Sequence, residues 1–285
     1  MLYSVLTSAD KKWERLAEFA SSMKLQFGRR VFVLDFDGTV APIVDLPSDA
    51  AVDPTMVVVM QRLIEVSDLV ILSGRTLEFL RGRLSFLHNE SAQGNVRLYG
   101  HYGLVSSTLD GSNFETESLD PTELKELYEL KQRWLANPVS EIFFEDKGYS
   151  CAFHYRNAVG YKDQLLDWIA DNVTTKCLVP RPGKMVVEVL PTSSPSKVSV
   201  IRSLSRKYDS IVFAGDDLGD LDAFAEIERE RDLGLSRFSV LVEGGFETPP
   251  ELLVSCDFKV ESPTKLALLL DRIRDSLQTE NPTQS

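Results

Sequence analysis

The chain has 285 residues, 43% hydrophobic, and its 31 Lys and Arg against 43 Asp and Glu leave a formal net charge of −12. That length predicts about two domains with enough apolar mass for packed cores, and the acidic balance argues against nucleic acid or anionic lipid as a partner. No uninterrupted apolar run exceeds the five residues of Met56–Met60 and Leu266–Leu270, where a spanning helix needs roughly 18, and the charged first 30 residues lack the apolar block of a secretory signal, so we expect a cytoplasmic protein without a membrane partner.

Residues 8–27 place Trp13, Leu16, Ala17, Ala20 and Met23 at three- and four-residue steps, which predicts an amphipathic helix after caps at Thr7 and Ser8. Val31-Phe32-Val33-Leu34 is a short continuous apolar run, the pattern of a parallel strand buried on both faces, so Asp35 falls at a strand's carboxyl end. Asp53 and Pro54 read as the cap and first-turn proline of a helix over 54–67. A strand Leu69–Leu72, a helix over 76–85 and a strand near 97–99 continue the β-α-β order. The same grammar resumes at residue 197 with helix, strand Ile211–Ala214, helix and strand, so the two stretches read as halves of one α/β parallel sheet.

Residues 104–190 read differently, as a strand, a helix over 121–135, two strands joined by Asp146-Lys147-Gly148, a helix over 160–173 and two further strands. Tyr149, Cys151, Phe153 and Tyr155 alternate with Ser150, Ala152 and His154, as in an antiparallel sheet with one covered face. This predicts an inserted α+β cap domain, 108–194, within a discontinuous core of 1–107 and 195–285. Gly111-Ser112-Asn113 and Pro191 to Ser196 are the candidate hinges, and the polar tail from Gln278 is expected to be disordered.

Chemistry concentrates at the strand ends. Asp35-Phe36-Asp37-Gly38-Thr39 brings two carboxylates to one point of the sheet's carboxyl edge, where open α/β sheets bind ligands. A carboxylate there can attack phosphorus, and another two residues on can donate a proton to the leaving oxygen. Ser73-Gly74-Arg75 closes the second strand and offers a phosphate a hydroxyl, backbone N–H groups and a fork of guanidinium donors. Gly215-Asp216-Asp217-Leu218-Gly219-Asp220 adds acids at the same edge. Acids so close repel unless a cation lies among them, and three widely spaced cysteines offer no thiolate site, so the expected metal is a hard one with oxygen ligands, magnesium first. Taken singly, each motif is equally a solvated turn or a helix cap, and Lys197 a surface lysine.

In combination and in this order, Asp-x-Asp-Gly-Thr, a strand-ending Ser, Lys197 and Gly-Asp-Asp-x-x-Asp resemble the haloacid dehalogenase-like (HAD) phosphohydrolases. Leu34 to Ile43, Ser73-Gly74-Arg75, Gly183-Lys184-Met185-Val186-Val187-Glu188-Val189 and Gly215 to Phe224 are similar, within that superfamily, to the trehalose-6-phosphate phosphatase family, from about Val31 to Leu270. The resemblance implies a Rossmann-like parallel-sheet HAD core with an inserted cap of the C2B type. It implies Asp35 as nucleophile, Asp37 as general acid and base, Ser73 and Lys197 on the phosphate with Gly74 and Arg75 beside them, and Asp216 as magnesium ligand with Asp35 and the Asp37 carbonyl. Asp217 and Asp220 would then stand behind the ligands or reach the metal through water. In the cap it implies sugar recognition by Glu145, Lys147, Arg156, Lys184 and Glu188; the two-residue period independently puts Lys184 and Glu188 on one strand face, and Glu145 with Lys147 likewise.

Two positions depart from the family pattern: Tyr102 stands where many members carry His, which leaves His101 and Tyr102 as pocket lining, and Val198 follows Lys197 where Gly is usual. The implied reaction is magnesium-dependent hydrolysis of trehalose 6-phosphate through an aspartyl phosphate, by a chain that acts alone as a monomer on a small sugar phosphate. The competing readings are a sucrose-phosphate or glycosyl-phosphoglycerate phosphatase, a phosphomutase, and a non-catalytic subunit of trehalose synthesis.

Overall fold

The run Arg30–Leu34 forms strand β1, and its alternation separates two cores: Phe32 and Leu34 face one layer of helices, Val31 and Val33 the other. A computed structural model describes residues 15–21, 28–88, 95–183, 185–243 and 256–278. Around β1 the large sheet runs β12 (Phe258–Val260), β11 (Ser236–Val242), β10 (Ser210–Gly215), β1, β2 (Asp68–Leu72), β3 (Val96–Gly100), β4 (Val105–Thr108) and β5 (Glu115–Thr116). Strands β12 to β3 are parallel, and β4 and β5 are antiparallel additions at one edge. The chain leaves β1 toward β2 and β3 in its first half and fills the other side in its second half. The strand order therefore reverses at the β1/β10 pair, the crevice where α/β sheets place ligands.

Helices cover both faces. Helix α1 (15–21), α2 (Pro54–Leu63), α3 (Leu77–Arg83) and α8 (Pro263–Gln278) pack on the Phe32 side, and α6 (Lys197–Ser205) and α7 (Leu221–Asp232) on the Val31 side. Asp53 caps α2 by accepting from the N–H groups of Thr55 and Met56 at 2.8 and 3.2 Å, with Pro54 at the first helical position. The helix ends at Leu63 and not at 67: beyond it the N–H groups of Glu65 and Val66 turn to the carbonyls three residues back, Arg62 and Leu63, at 3.3 and 3.1 Å, and the Ser67 hydroxyl donates to the Leu63 carbonyl. In α1 the buried positions are Leu16 and Phe19, the latter stacked on Phe238 at 4.9 Å, whereas Ala17 is exposed. Trp13 and Met23, expected on the same stripe, lie outside the described residues, as does the tail from 279.

Strands β4 and β5 follow β3 in the chain. Both pair within the large sheet, so the chain stays with that sheet as far as Thr116, beyond residue 108. Gly111-Ser112-Asn113 is the tip of this hairpin and no crossing point. Asp110 accepts from Thr108 and Ser112, and Gly111 and Asn113 take the positive φ values the turn requires.

Between residues 117 and 196 the chain builds a second, antiparallel sheet of β6 (Phe143–Asp146), β7 (Cys151–His154), β9 (Val186–Pro191) and β8 (Leu178–Gly183), in that spatial order. Helices α4 (Pro121–Ala136) and α5 (Lys162–Asn172) cover one face through Leu127, Leu130, Trp134, Leu165 and Ile169. The ring of Trp134 meets Phe153 at 4.7 Å and Trp168 at 4.8 Å. The other face was expected to be open, yet Ser150, Ala152 and Glu188 on it are all buried, because it lies against the loops of the large sheet. The three cysteines are free, and no described helix is long and apolar enough to cross a membrane. We expect Trp134→Ala to cost about 3–5 kcal/mol by leaving a cavity between the two helices and the small sheet, measured as a lowered urea midpoint against the wild type.

Candidate active site

The crevice at the β1/β10 pair is lined by residues that three strands end on. Asp35 follows β1, with its N–H donating to the Ala214 carbonyl at 3.0 Å, Ser73 follows β2, and Asp216 follows β10. Gly38 turns the chain back at φ +77°. A Cβ there would stand 1.9 Å from Asp216 Oδ2, so only glycine lets the Asp35–Thr39 turn close onto that carboxylate.

Lys197, the first residue of α6, is buried and donates to Asp35 Oδ1 at 2.7 Å and to Asp220 Oδ1 at 2.6 Å. Burial alone would depress its ammonium, but Asp220 and Asp35 outweigh that and hold it charged. Burial pushes the Asp35 carboxyl up to about 8, against the pull of Lys197 and with added repulsion from Asp220 and Asp217. Carboxylate oxygens of Asp35, Asp216 and Asp220 come within 4.8 Å of one another. One ammonium does not neutralise three buried acids, and an all-oxygen donor set of this kind suits a hard divalent cation. Asp220 is already engaged, Oδ1 by Lys197 and Oδ2 by the N–H groups of Asp216 and Asp217 at 3.1 and 3.3 Å. It is held against the lysine and the loop, while Asp35 and Asp216 line the cleft.

Asp37 takes a different direction from Asp35. Both its oxygens are held by Arg75, from Nε and Nη2 at 2.7 Å each, in a bidentate pair. Ser73 is buried and its hydroxyl accepts from the Arg75 N–H at 3.2 Å, so the Ser73–Arg75 turn is folded on itself beside Asp35. Its flank is the turn after β3, where His101 and Tyr102 stand consecutively at φ 49° and 59°. Left-handed backbone costs a side-chain-bearing residue roughly 1–2 kcal/mol. The N–H groups of His101 and Tyr102 offset it by donating to the carbonyls of Arg75 and Ser73 at 3.0 and 2.9 Å.

The small sheet faces this cleft with a cross-strand row, Glu145 beside Ala152 beside Glu188 beside Arg181. Glu188 is buried and accepts from Lys147 at 3.0 Å, from Tyr102 at 2.7 Å and from Ser150. Burial would raise its carboxyl, and the Lys147 charge with these donors holds it below the usual range. Lys147 sits on the Asp146–Gly148 turn, which Lys131 of α4 fixes by donating to Asp146 Oδ1 and the Gly148 carbonyl at 2.5 and 2.6 Å. Glu145 pairs with His154 at 2.9 Å. The cleft lies between the two sheets and is lined by residues of both.

Thus Asp35, Asp37, Ser73, Gly74, Arg75, Glu145, Lys147, Arg156, Glu188, Lys197, Asp216 and Asp217 line one cleft, and Asp220 stands behind Lys197. Lys184 lies outside the described residues. Tyr102 lines the cleft as expected, while His101 lies behind it. Sequence reasoning missed His154, Ser150 and the Ile43–Pro47 segment of the wall. The alternation along β7 contained the signal for the first two, had its second face been taken as covered.

The sequence profile of the trehalose-phosphatase family matches residues 33–247. The chain is 27% identical over 216 residues to a trehalose-phosphate phosphatase of Mycobacterium leprae, covering 70% of this chain and 48% of that protein, so it spans about half the length of that relative. In fold it is similar to the C-terminal domain of Candida albicans trehalose-6-phosphate phosphatase, with TM-score 0.73 and 18% identity over 92% of this chain and 96% of that one. It is also similar to the C-terminal domain of a Candida albicans trehalose synthase regulatory protein, with TM-score 0.63 and 13% identity over 92% and 98%.

His101 makes the cleft floor sensitive to acid. Its Nδ1 is buried without a hydrogen-bond partner among the described residues, and its ring stands edge-on to Tyr149 at 5.7 Å. Burial, then the Lys147 charge, lower its pKa from 6.5 to about 4. The unfolded chain therefore binds this proton first, and the stability present above pH 6.5 is lost as pH falls toward 4, by about 3 kcal/mol. Asn tolerates left-handed backbone and does not titrate, so His101→Asn should show a shallower loss in urea unfolding between pH 7 and 4. Equal slopes for variant and wild type would refute this origin.

Proposed function

Because the chain belongs to the trehalose-phosphatase family, we propose that it hydrolyses trehalose 6-phosphate to trehalose and phosphate through an aspartyl phosphate on Asp35. The observation that carries this reading is the pairing of two chemistries across one cleft: a buried Asp35–Lys197 pair at the sheet switch point, and a row of charged side chains opposite it. We read the small sheet and its helices as the cap domain, inserted between the hairpin of the large sheet and α6.

Asp35 approaching a phosphate dianion meets repulsion of about 4 kcal/mol per charge pair at ~4 Å and an effective dielectric near 20. Lys197, 2.7 Å from the attacking carboxylate, offsets part of it. The Ser73 hydroxyl and the N–H groups of the following turn hold the phosphate oxygens. Attack by an Asp35 oxygen forms a new O–P bond as the sugar-oxygen–phosphorus bond breaks, and Asp37 delivers the proton that the departing sugar oxygen takes up. Ionised again, Asp37 takes a proton from water as that water displaces Asp35 from phosphorus. Asp35 and Asp216, with the Asp37 carbonyl, would hold magnesium. Bound there, magnesium supplies charge neutralisation for the phosphate oxygens. Glu145, Lys147, Arg156, Glu188 and Lys184 are the sugar's hydrogen-bond partners in this reading.

The fold is shared with a regulatory protein, which gives the non-catalytic reading some weight. Against it stands the complete charge set at the strand ends, Asp35, Asp37, Lys197 and Asp216, which a purely structural partner has no need to keep together in one cleft. A phosphate-release screen over trehalose, sucrose and other sugar phosphates separates these readings. We expect trehalose 6-phosphate to be preferred, chelation to abolish release, magnesium to restore it, and folded Asp35→Asn to give background only. Release by Asp35→Asn at the wild-type rate would end the nucleophile assignment. In the cap half, Glu145→Ala, Lys147→Ala and Arg156→Ala should each lower kcat/KM for the disaccharide phosphate about 10- to 100-fold, the loss of one charge-assisted hydrogen bond, with little change on a small aryl phosphate. An unchanged ratio of the two specificity constants in all three variants would remove the sugar-recognition role.

A further inference from the structure

We infer that Tyr102 is a positioning residue that ties the phosphate end of the cleft to its sugar end, an inference that rests on the reading just given. Four observations carry it. The Tyr102 N–H donates to the Ser73 carbonyl at 2.9 Å, and the neighbouring His101 N–H to that of Arg75 at 3.0 Å, so the turn bearing Tyr102 is stitched to the turn that would hold the phosphate. The Tyr102 ring lies on Gly74, where an added Cβ would stand 2.6 Å from Cζ; only glycine admits the ring. The hydroxyl then crosses from the large sheet to the small one and donates to Glu188 Oε2 at 2.7 Å. On the other side Arg181, next to Glu188 in the sheet row, sets its guanidinium 5.5 Å from the ring centre.

Glu188 is thereby held by donors from both bodies, Lys147 and Ser150 from the small sheet and Tyr102 from the large one. The first two orient the carboxylate within its own sheet. Tyr102 alone of the three places it relative to Ser73 and Asp35. The left-handed backbone at Tyr102 fits this role: a right-handed residue would aim the side chain elsewhere, and the conformation persists because the two backbone hydrogen bonds over-determine it. Loss of the hydroxyl should leave the phosphate site intact and loosen the registration of the sugar-binding row above it.

The test is Tyr102→Phe, which keeps the ring on Gly74 and removes only the donor. Two quantities are measured with the full chain: the ratio of kcat/KM for trehalose 6-phosphate to that for p-nitrophenyl phosphate, with magnesium, and the radius of gyration of the substrate-free protein by small-angle scattering. In the wild type a preference for the sugar phosphate is expected. The variant should lose roughly tenfold or more of that ratio, with the aryl phosphate unchanged within about twofold. A ratio equal to that of the wild type overturns the inference and leaves the proposed function standing. Should the wild type show no preference for the sugar phosphate, the proposed function fails and the scattering decides on Tyr102: a larger radius of gyration in Tyr102→Phe retains it as the tie between the two bodies, and an unchanged one rejects it.

Discussion

Lys197 donates to two carboxylates in a pocket where all three residues are at most 6% exposed. Charges taken this far out of water are held chiefly by each other, so loss of one partner leaves another charge buried and poorly compensated. The three belong to three places in the chain: the end of β1, the start of α6 and the turn before α7. Their mutual attraction therefore fixes how the two halves of the large sheet meet, and the same contact puts an ammonium beside the carboxylate that points into the cleft. Gly215 follows from this requirement, and Gly38 from the neighbouring approach of Asp216. At Gly215 a Cβ would stand 2.4 Å from the Asp220 carboxyl carbon, and at Gly38 it would strike Asp216.

The small sheet solves a different problem. It sets charged groups on the cleft while those groups are themselves mostly shielded from water. It does so by spending cross-strand neighbours on them: Ala152 leaves room between Glu145 and Glu188, Lys131 props the turn that carries Lys147, and His154 occupies Glu145. Burial works against ionisation at both glutamates, and in each case hydrogen bonds and nearby cations win. A row of ionised, oriented side chains is the outcome, pre-organised against the strand ends of the large sheet.

Much of this was legible in the chain because its signals are local. A continuous apolar run followed by Asp35, or Asp53-Pro54 opening a helix, needs only neighbours in sequence to be read, and the strands and caps follow. Position alone puts Lys197 at a helix start within reach of the sheet edge, but a single lysine reads as surface by default, and only the resemblance to the HAD phosphohydrolases brings it to the phosphate. What stayed hidden depends on pairing at a distance. The hairpin around Gly111 reads as a hinge until β4 and β5 are seen to pair with the large sheet. The face of β7 bearing Ser150 and Ala152 reads as solvent-facing until a second body is placed on it. Tyr102 reads as pocket lining because it stands where many family members carry His; its reach to Glu188 is set by a left-handed backbone, which a tyrosine does not announce.

The placement of the small-sheet unit also bears on how the chain finds its fold. Asp35 and Lys197 are 162 residues apart, and β1 acquires its β10 neighbour only after everything between has been made. Ordered contacts at such separation are slow to form from a free chain, because the closure entropy must be met before they reward it. Asp120 and Ser193, however, are hydrogen-bonded to each other although 73 residues apart. A unit that collapses on its own Trp134 cluster brings its two ends together and removes that stretch from the loop to be closed. The insertion then acts as a splint that shortens the effective distance between the halves of the large sheet.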